Sequence, residues 1–329
     1  MKRIVACTLC LVIACVLGCR KSPEPEPEVP AVEQQRQWKL AFITNTAASF
    51  WRYAHAGIEK AEAELGVKVT FLMPPNSTVE EQTQYLENLI AQKYDAVAIS
   101  AIDAENMVPL LDKVAGYMAL FCHDSDAPGS KRLAYLGTNN HFAGTVLGKR
   151  LVKLLPDGGK IAIFVGRLDA QNARERWQGI MDTIKDSGIP IELVDTKLDE
   201  ADRARAKQNV EDVIASVPDV DVLIGLWAYN GPMIASALKG VGKQGQIQAL
   251  CFDEDRETLQ AIKEGIIEST VVQQPFEFGY QGVKLMVDYL ERGDVALPGG
   301  GKLDIPVLVI DADKVDEFAA KMEAMLNGA

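Results

Sequence analysis

Eight residues stand just beyond short apolar runs, the position at which an open α/β sheet presents side chains to a ligand. They are Asn45, Phe50, Trp51 and Asp124 in the first half of the chain and Arg174, Asn230, Asp253 and Gln273 in the second. The set combines planar donors and acceptors with two aromatic rings and nearly balanced charge, which suits a neutral polyol. Carboxylate, amide and guanidinium groups each bridge neighbouring hydroxyls, while an aromatic face covers the C–H side of a ring. In a closed, dry cleft each charged hydrogen bond contributes about 1.5–3 kcal/mol net. A ligand lacking the matching hydroxyl leaves a buried charge unpaired, and the site discriminates on that basis.

Other uses of these residues are open. Asp124 and Asp253 could cap helices, Phe50 and Trp51 could be core residues at a helix start, and Arg174 could pair with Glu175 or Asp169 on the surface. Cys122, His123, Asp124, Cys251 and Asp253 could be drawn into a metal site, but the aromatic pair and Arg174 suit a cation poorly, so neither metal nor cofactor is expected. A bridge between Cys122 and Cys251 would lock a cleft shut, so two buried free thiols are expected. Enzymatic motifs are missing: there is no G-x-S-x-G, no P-loop and no G-x-G-x-x-G after the first apolar run, and the histidines are His55, His123 and His141.

The elements that must position these residues follow from periodicity. From Trp38 onward short apolar runs alternate with amphipathic stretches, the pattern of βαβ units and a parallel sheet. Strands are predicted at LAFIT (from Leu40), VTFL (Val69), AVAIS (Ala96) and MALFC (Met118), with helices at Phe50–Leu65, Val79–Gln92 and Asn106–Val114. Ser77 with Glu80 reads as a capping box, and Pro109 sits in a first turn, where proline is tolerated. The second half repeats the first. Lys39-Leu40-Ala41 recurs as Lys160-Ile161-Ala162 at an offset of 121, and Gly57-Ile58 and Gly66 recur as Gly179-Ile180 and Gly188 at 122. Asp95 matches Asp221 at 126, and Cys122-His123-Asp124 matches Cys251-Phe252-Asp253 at 129. Slowly growing offsets are the mark of loop insertions in a duplicated fold. Two such lobes would enclose a site between their strand ends.

Composition bounds the partners. The 329 residues carry 34 Lys+Arg against 46 Asp+Glu, a net charge of −12 with no basic stripe, which argues against nucleic acid. Lys2 and Arg3 precede an apolar run from Ile4 to Leu17, too short to span a bilayer but suited to a signal peptide. Val16-Leu17-Gly18-Cys19 resembles the lipobox of bacterial lipoproteins; Cys15 ends a second match, and Cys19 is preferred because polar sequence begins directly behind it. The expectation is a signal peptide over 1–18 and lipidation at Cys19. Residues 19–37 then form a Pro/Glu tether whose Arg20–Gln37 stretch reaches roughly 50 Å at about 3.1 Å per residue.

The chain resembles the ribose/galactose type of periplasmic sugar-binding protein, the solute receptor of ABC importers, over nearly all of residues 38–310. The segments that carry the likeness are AFITNTAASFW (from Ala41), FCHDSDAP (Phe121), NARERWQG (Asn172), GLWAYNGP (Gly225), CFDED (Cys251) and VVQQPFEFG (Val271). The resemblance implies two similar Rossmann-like α/β lobes with parallel sheets joined by three hinge crossings. The lobes would be 38–138 plus 275–303 and 139–274 plus 304–329. It implies that Phe50 and Trp51 stack on a monosaccharide, that Asp124, Arg174, Asn230, Asp253 and Gln273 bond its hydroxyls, and that Asn45 holds a polar first-strand position. It also implies a non-enzymatic monomer that meets ABC permease subunits, at the periplasm or outer cell surface of a bacterium, and touches the membrane only through its lipid anchor. Two positions depart from the ribose-binding pattern: Ser125 stands where an arginine is usual, and Ala201 near a stacking phenylalanine, so Trp227, Tyr229 or Trp177 would supply the second face. Related readings keep the fold but bind a nucleoside or furanose signal, or sense sugar without transport. A LacI-type regulator is excluded, because a secretion signal and acidic tether occupy the place of its DNA-binding headpiece.

Overall fold

The computed structural model describes residues 38–327. The expected signal peptide, Cys19 and the Pro/Glu tether lie outside the described residues. In chain order the first half forms β1 (Lys39–Ile43), α1 (Trp51–Leu65), β2 (Lys68–Leu72), α2 (Val79–Ala91), β3 (Ala96–Ile99), α3 (Val108–Ala115), β4 (Ala119–His123) and β5 (Ala134–Gly137). The second forms α4 (Asn140–Leu154), β6 (Gly159–Val165), α5 (Gln171–Ser187), β7 (Ile191–Leu198), α6 (Arg203–Ser216), β8 (Val222–Gly225), α7 (Asn230–Gly240), β9 (Gln248–Phe252), α8 (Arg256–Lys263) and β10 (Ser269–Val272). The chain ends with α9 (Pro275–Arg292), β11 (Lys302–Asp304), β12 (Leu308–Asp311) and α10 (Val315–Asn327).

Two sheets result, ordered β11-β5-β4-β3-β1-β2 and β12-β10-β9-β8-β6-β7. Strands buried on both faces explain the unbroken apolar runs. In β1, Leu40 and Phe42 enter one core while Ala41 and Ile43 enter another across the sheet. Each lobe is thus a sheet between two helical layers.

The chain passes between the sheets after β5, after β10 and after β11. The last passage explains the one departure from parallel pairing, since β12 runs antiparallel to β10. β11 runs parallel to β5, toward the carboxyl ends of its sheet. The link of residues 305–307 therefore enters the second sheet from the strand-end side, and three residues cannot form the long crossover that a parallel strand requires.

The sequence repeat has structural content. Lys39 N donates to Asp95 Oδ2 at 2.9 Å, and Lys160 N to Asp221 Oδ2 at 2.8 Å, so both lobes fasten the first strand in the same way. A Cβ on Gly57 would lie 2.0 Å from the Phe276 carbonyl oxygen, and one on Gly179 would lie 2.1 Å from that of His141. Bare backbone at these points lets α1 close on α9 and α5 on α4. Gly66 and Gly188 end α1 and α5 at φ of 67° and 68°, the left-handed cap that glycine adopts without strain. Cys122 and Cys251 are buried free thiols at matching places in β4 and β9. The capping box of α2 lies one residue later than expected: Thr78, in extended conformation, and Glu81 form it, whereas Ser77 stands one residue before the cap at a φ of 55°. Among the described residues no helix is long and apolar enough to cross a membrane.

Candidate functional site

β4 and β9 each run into an aspartate held in the left-handed region, Asp124 at φ 55° and Asp253 at φ 68°. That backbone costs about 1–2 kcal/mol for a residue with a Cβ, and local bonds hold it. Asp124 N donates to Leu136 O at 3.3 Å, and its carbonyl accepts from the Tyr135 hydroxyl at 2.9 Å. Asp253 N donates to Val271 O at 2.9 Å, and its carbonyl accepts from Thr270 Oγ1 at 2.7 Å. Neither aspartate caps a helix; the cap of α8 is Asp255.

Both carboxylates face one cavity. Asp124 Oδ2 accepts from Ser100 Oγ at 2.8 Å and from the side-chain amides of Asn45 and Asn172, each at 3.2 Å. Asp253 accepts from Gln273 Nε2 at 2.8 Å and pairs with Arg176 Nη1 at 3.5 Å. Burial pushes the Asp124 pKa up to about 6 against the pull of Arg176 and Ser100. It pushes Asp253 up as well, with Arg176 again opposing.

The arginine in the cavity is Arg176, and Arg174 lies elsewhere. Arg176 is fully buried. Its Nε donates to Asn140 Oδ1 at 3.0 Å and its Nη1 to Leu226 O at 2.7 Å, while the guanidinium carbon sits 4.6 Å from the centre of the Phe252 ring. Arg174 turns outward, bonding Gln171 Oε1 at 2.8 Å and pairing with the exposed Glu105 at 3.4 Å. The helical period carries the signal that separates them: Arg176 shares the face of Ala173, Ile180 and Ile184, all buried, while Arg174 stands some 200° away around α5.

A narrow cavity lies between the strand ends. From the first lobe it is lined by Asn45, Thr46, Ala48, Phe50, Trp51 and Asp124; from the second by Asn172, Arg176, Trp227, Ala228, Tyr229, Asp253 and Gln273. Of the eight residues picked from sequence, six line it. Phe50 and Trp51 meet edge to face, 4.8 Å between ring centres, and the Trp51 indole N–H is taken by Thr46 Oγ1 at 3.1 Å. Asn230 is the second residue outside the lining. Its Oδ1 accepts from Trp227 N and its Nδ2 donates to Asp199 Oδ2, both at 3.0 Å, so it holds the loop rather than facing the cavity. The other lining residues are Thr46, Ala48, Asn172, Arg176 and Ala228, which the sequence reading does not single out, and Trp227 and Tyr229, which it offers only as possible faces. Trp177 packs on the outside of α5, its Nε1 bonded to Thr196 Oγ1 at 3.2 Å.

Four polar atoms on lining residues are buried without a hydrogen-bond partner: Arg176 Nη2, Trp227 Nε1, Asn172 Oδ1 and Gln273 Oε1. Two are donors and two acceptors. The lobes also touch across the cleft mouth through Ser49 Oγ to Asp255 Oδ2 at 3.0 Å and through Arg174 to Glu105. Among the described residues, no cluster of His, Cys, Asp and Glu is arranged to hold a metal ion.

Comparison with known proteins agrees with this geometry. Residues 40–294 match the periplasmic binding protein domain family. The D-allose-binding periplasmic protein of Escherichia coli K12 is 27% identical over 271 residues, covering 78% of this chain and 86% of the relative. A solute-binding protein of Burkholderia graminis in complex with D-arabinose superposes with a TM-score of 0.79 at 28% identity, covering 84% of this chain and 96% of that one. A glucose-galactose binding protein of Geobacillus stearothermophilus gives a TM-score of 0.80 at 25% identity, covering 85% and 99%.

Proposed function

Since the chain belongs to the periplasmic binding protein family, a family of substrate-binding proteins rather than enzymes, we propose that it captures a monosaccharide between its lobes for an ABC importer. The observation that carries this reading is the set of two donors and two acceptors left buried and unpaired on residues that line the cavity together with Phe50 and Trp51. Each unpaired buried group costs about 1–3 kcal/mol, and a hydroxyl, which both donates and accepts, relieves either kind. A carboxylate ligand would instead bring a third negative charge to Asp124 and Asp253 with one guanidinium to offset it. A cationic ligand would meet Arg176.

Ligand contacts arise from both lobes, so a sugar favours the closed arrangement over the open one by the difference in contacts it makes. Asp124, Phe50 and Trp51 come from one side, and Arg176, Asp253 and Gln273 from the other. The closed form is then the one a permease recognises. Leader and tether complete this reading: residues 1–18 direct export, Cys19 carries lipid, and residues 19–37 let a monomeric receptor stand off a bacterial membrane. The lipobox match and the Pro/Glu composition support that part.

Titration calorimetry against D-allose, D-ribose, D-arabinose, D-galactose and D-glucose tests the function. At least one should bind, with affinity lost in Asp124→Ala and Arg176→Ala; absence of binding across the panel refutes it. Mass spectrometry of the mature N-terminus tests the anchor, and an unmodified residue there refutes it.

A further inference from the structure

Trp227 sits in the cavity wall with its indole N–H buried and unpartnered. Two other indoles of the chain are satisfied within the protein, Trp51 by Thr46 and Trp177 by Thr196. The seat of Trp227 is built for the ring. At the end of β6, Gly166 leaves open the space beneath it: a Cβ there would lie 2.1 Å from Trp227 Cζ3 and 2.5 Å from Cε3. Tyr229 meets the indole edge on, with ring centres 6.3 Å apart. Asn230 Oδ1 holds the Trp227 backbone N–H, and the Tyr229 hydroxyl and Asn230 Nδ2 both donate to Asp199, a buried carboxylate just past β7.

A ring wanted only for its apolar face gains nothing from a buried, unpartnered polar atom on a residue that lines the cavity. An indole N–H donates and cannot accept, so it is satisfied by an oxygen at one place and by nothing at a C–H. We propose that Trp227 is a specificity-determining residue whose indole N–H selects a single hydroxyl of the bound sugar, with Gly166 and the Asp199 cluster fixing its aim. The inference rests on the sugar-binding reading and adds to it a directional choice among sugars of the same size. The four unpaired wall atoms are not equivalent in this respect. Arg176 Nη2 belongs to a group that is charged and already bonded at three points, whereas Trp227 can be stripped of its donor while the ring remains.

The test uses the full chain and the tightest-binding sugar of the five-member panel, together with its monodeoxy analogues. On the native protein one analogue should bind about tenfold more weakly because it leaves the indole N–H unpaired. Trp227→Phe, which retains a ring, should erase that discrimination while preserving the order of the other analogues. In ¹H–¹⁵N spectra the indole resonance that disappears in Trp227→Phe should shift downfield when sugar is added to the native protein. Gly166→Ala should weaken the parent sugar and flatten the same step by displacing the ring. An unchanged analogue profile in Trp227→Phe, or a Trp227 indole resonance that stays still at saturation, overturns the proposal while leaving sugar binding intact. Failure of every panel sugar to bind the native protein overturns the functional reading itself.

Discussion

Asp124→Asn should make the ligand-free protein more stable and a poorer receptor. Burial lifts the Asp124 pKa from its ordinary 3.8 to about 6 even with Ser100 and Asn172 donating to it and Arg176 nearby. A carboxyl whose folded pKa exceeds its unfolded one holds its proton more tightly when folded, so ionisation opposes folding. The penalty is absent well below pH 4, grows between about pH 4 and pH 6, and is constant above. A rise of roughly two units corresponds to about 3 kcal/mol, falling to about half that near pH 5. Asparagine keeps the shape and offers an oxygen to Asn45, Ser100 and Asn172 but carries no charge. At pH 8 its melting temperature should exceed that of the native protein by about 5 °C, given a few degrees per kcal/mol at this size, and the gain should nearly vanish at pH 4. Affinity should move the opposite way, by about 10–100-fold, because a charged acceptor for sugar hydroxyls becomes neutral. Scanning calorimetry at the two pH values and titration calorimetry with sugar measure both effects. A melting temperature at pH 8 no higher than native, or a gain undiminished in acid, would refute the reasoning.

The two arginines of α5 should separate cleanly. Arg176→Met leaves Asp253 buried without its cation, so it should cost about 3–5 kcal/mol in denaturant unfolding and abolish sugar binding; Arg174→Met, which breaks only partly exposed contacts with Gln171, the Leu168 and Asp169 carbonyls and Glu105, should alter stability by less than about 1 kcal/mol and affinity by less than twofold. Gly279→Ala puts a Cβ 1.9 Å from the Ala54 carbonyl oxygen and forces α9 off α1, whereas Gly66→Ala meets nothing and adds only left-handed strain of about 1 kcal/mol; urea melts should show the first to be several-fold more damaging. Burial drives the His123 pKa down to about 3, below its unfolded value, so the cost of protonating it appears as pH falls below about 6.5 and grows until about pH 3. His123→Phe, stacking on Phe42 as His123 does at 3.8 Å, should therefore move the midpoint of acid unfolding to lower pH; an unmoved midpoint would show that His123 does not govern the acid limb.

The doubled fold is legible because its devices are local and recur. A glycine where two helices touch, a glycine at a helix end and an aspartate fastening the first strand each appear twice at related offsets, and each has a fixed structural job. The site is less legible because facing is decided at a resolution finer than a motif. In NARERWQG two arginines stand two residues apart, and only the burial of Ala173 and Ile180 on the same face says that Arg176 turns inward. Asn230 has the right type and neighbourhood, yet its bonds to Trp227 and Asp199 occupy it. Asp199 carries no local sign of its role, since Tyr229 and Asn230, which make it a cluster, lie thirty and thirty-one residues further on. The shift of the capping box from Ser77 to Thr78 has the same origin, a backbone angle that residue type alone does not specify.

The duplicated aspartates also show why two like lobes make an unlike pair of walls. Asp253 lies in the lobe that holds Arg176 and Gln273, so its partners do not depend on closure. Asp124 draws Asn45 and Ser100 from its own lobe but Asn172 from the other. In this closed arrangement Asp124 is buried, and one amide from the facing lobe is a poor exchange for water around an ionised carboxylate. At neutral pH the closed state therefore carries a penalty localised on Asp124, which a hydroxyl donating to it would offset. A ligand that donates to Asp124 would therefore favour the closed arrangement by the contact difference it makes between two states. The raised pKa of Asp124 and the unpaired atoms of Arg176, Trp227, Asn172 and Gln273 are two signs of the same arrangement, a cavity wall whose polar groups the protein satisfies only in part.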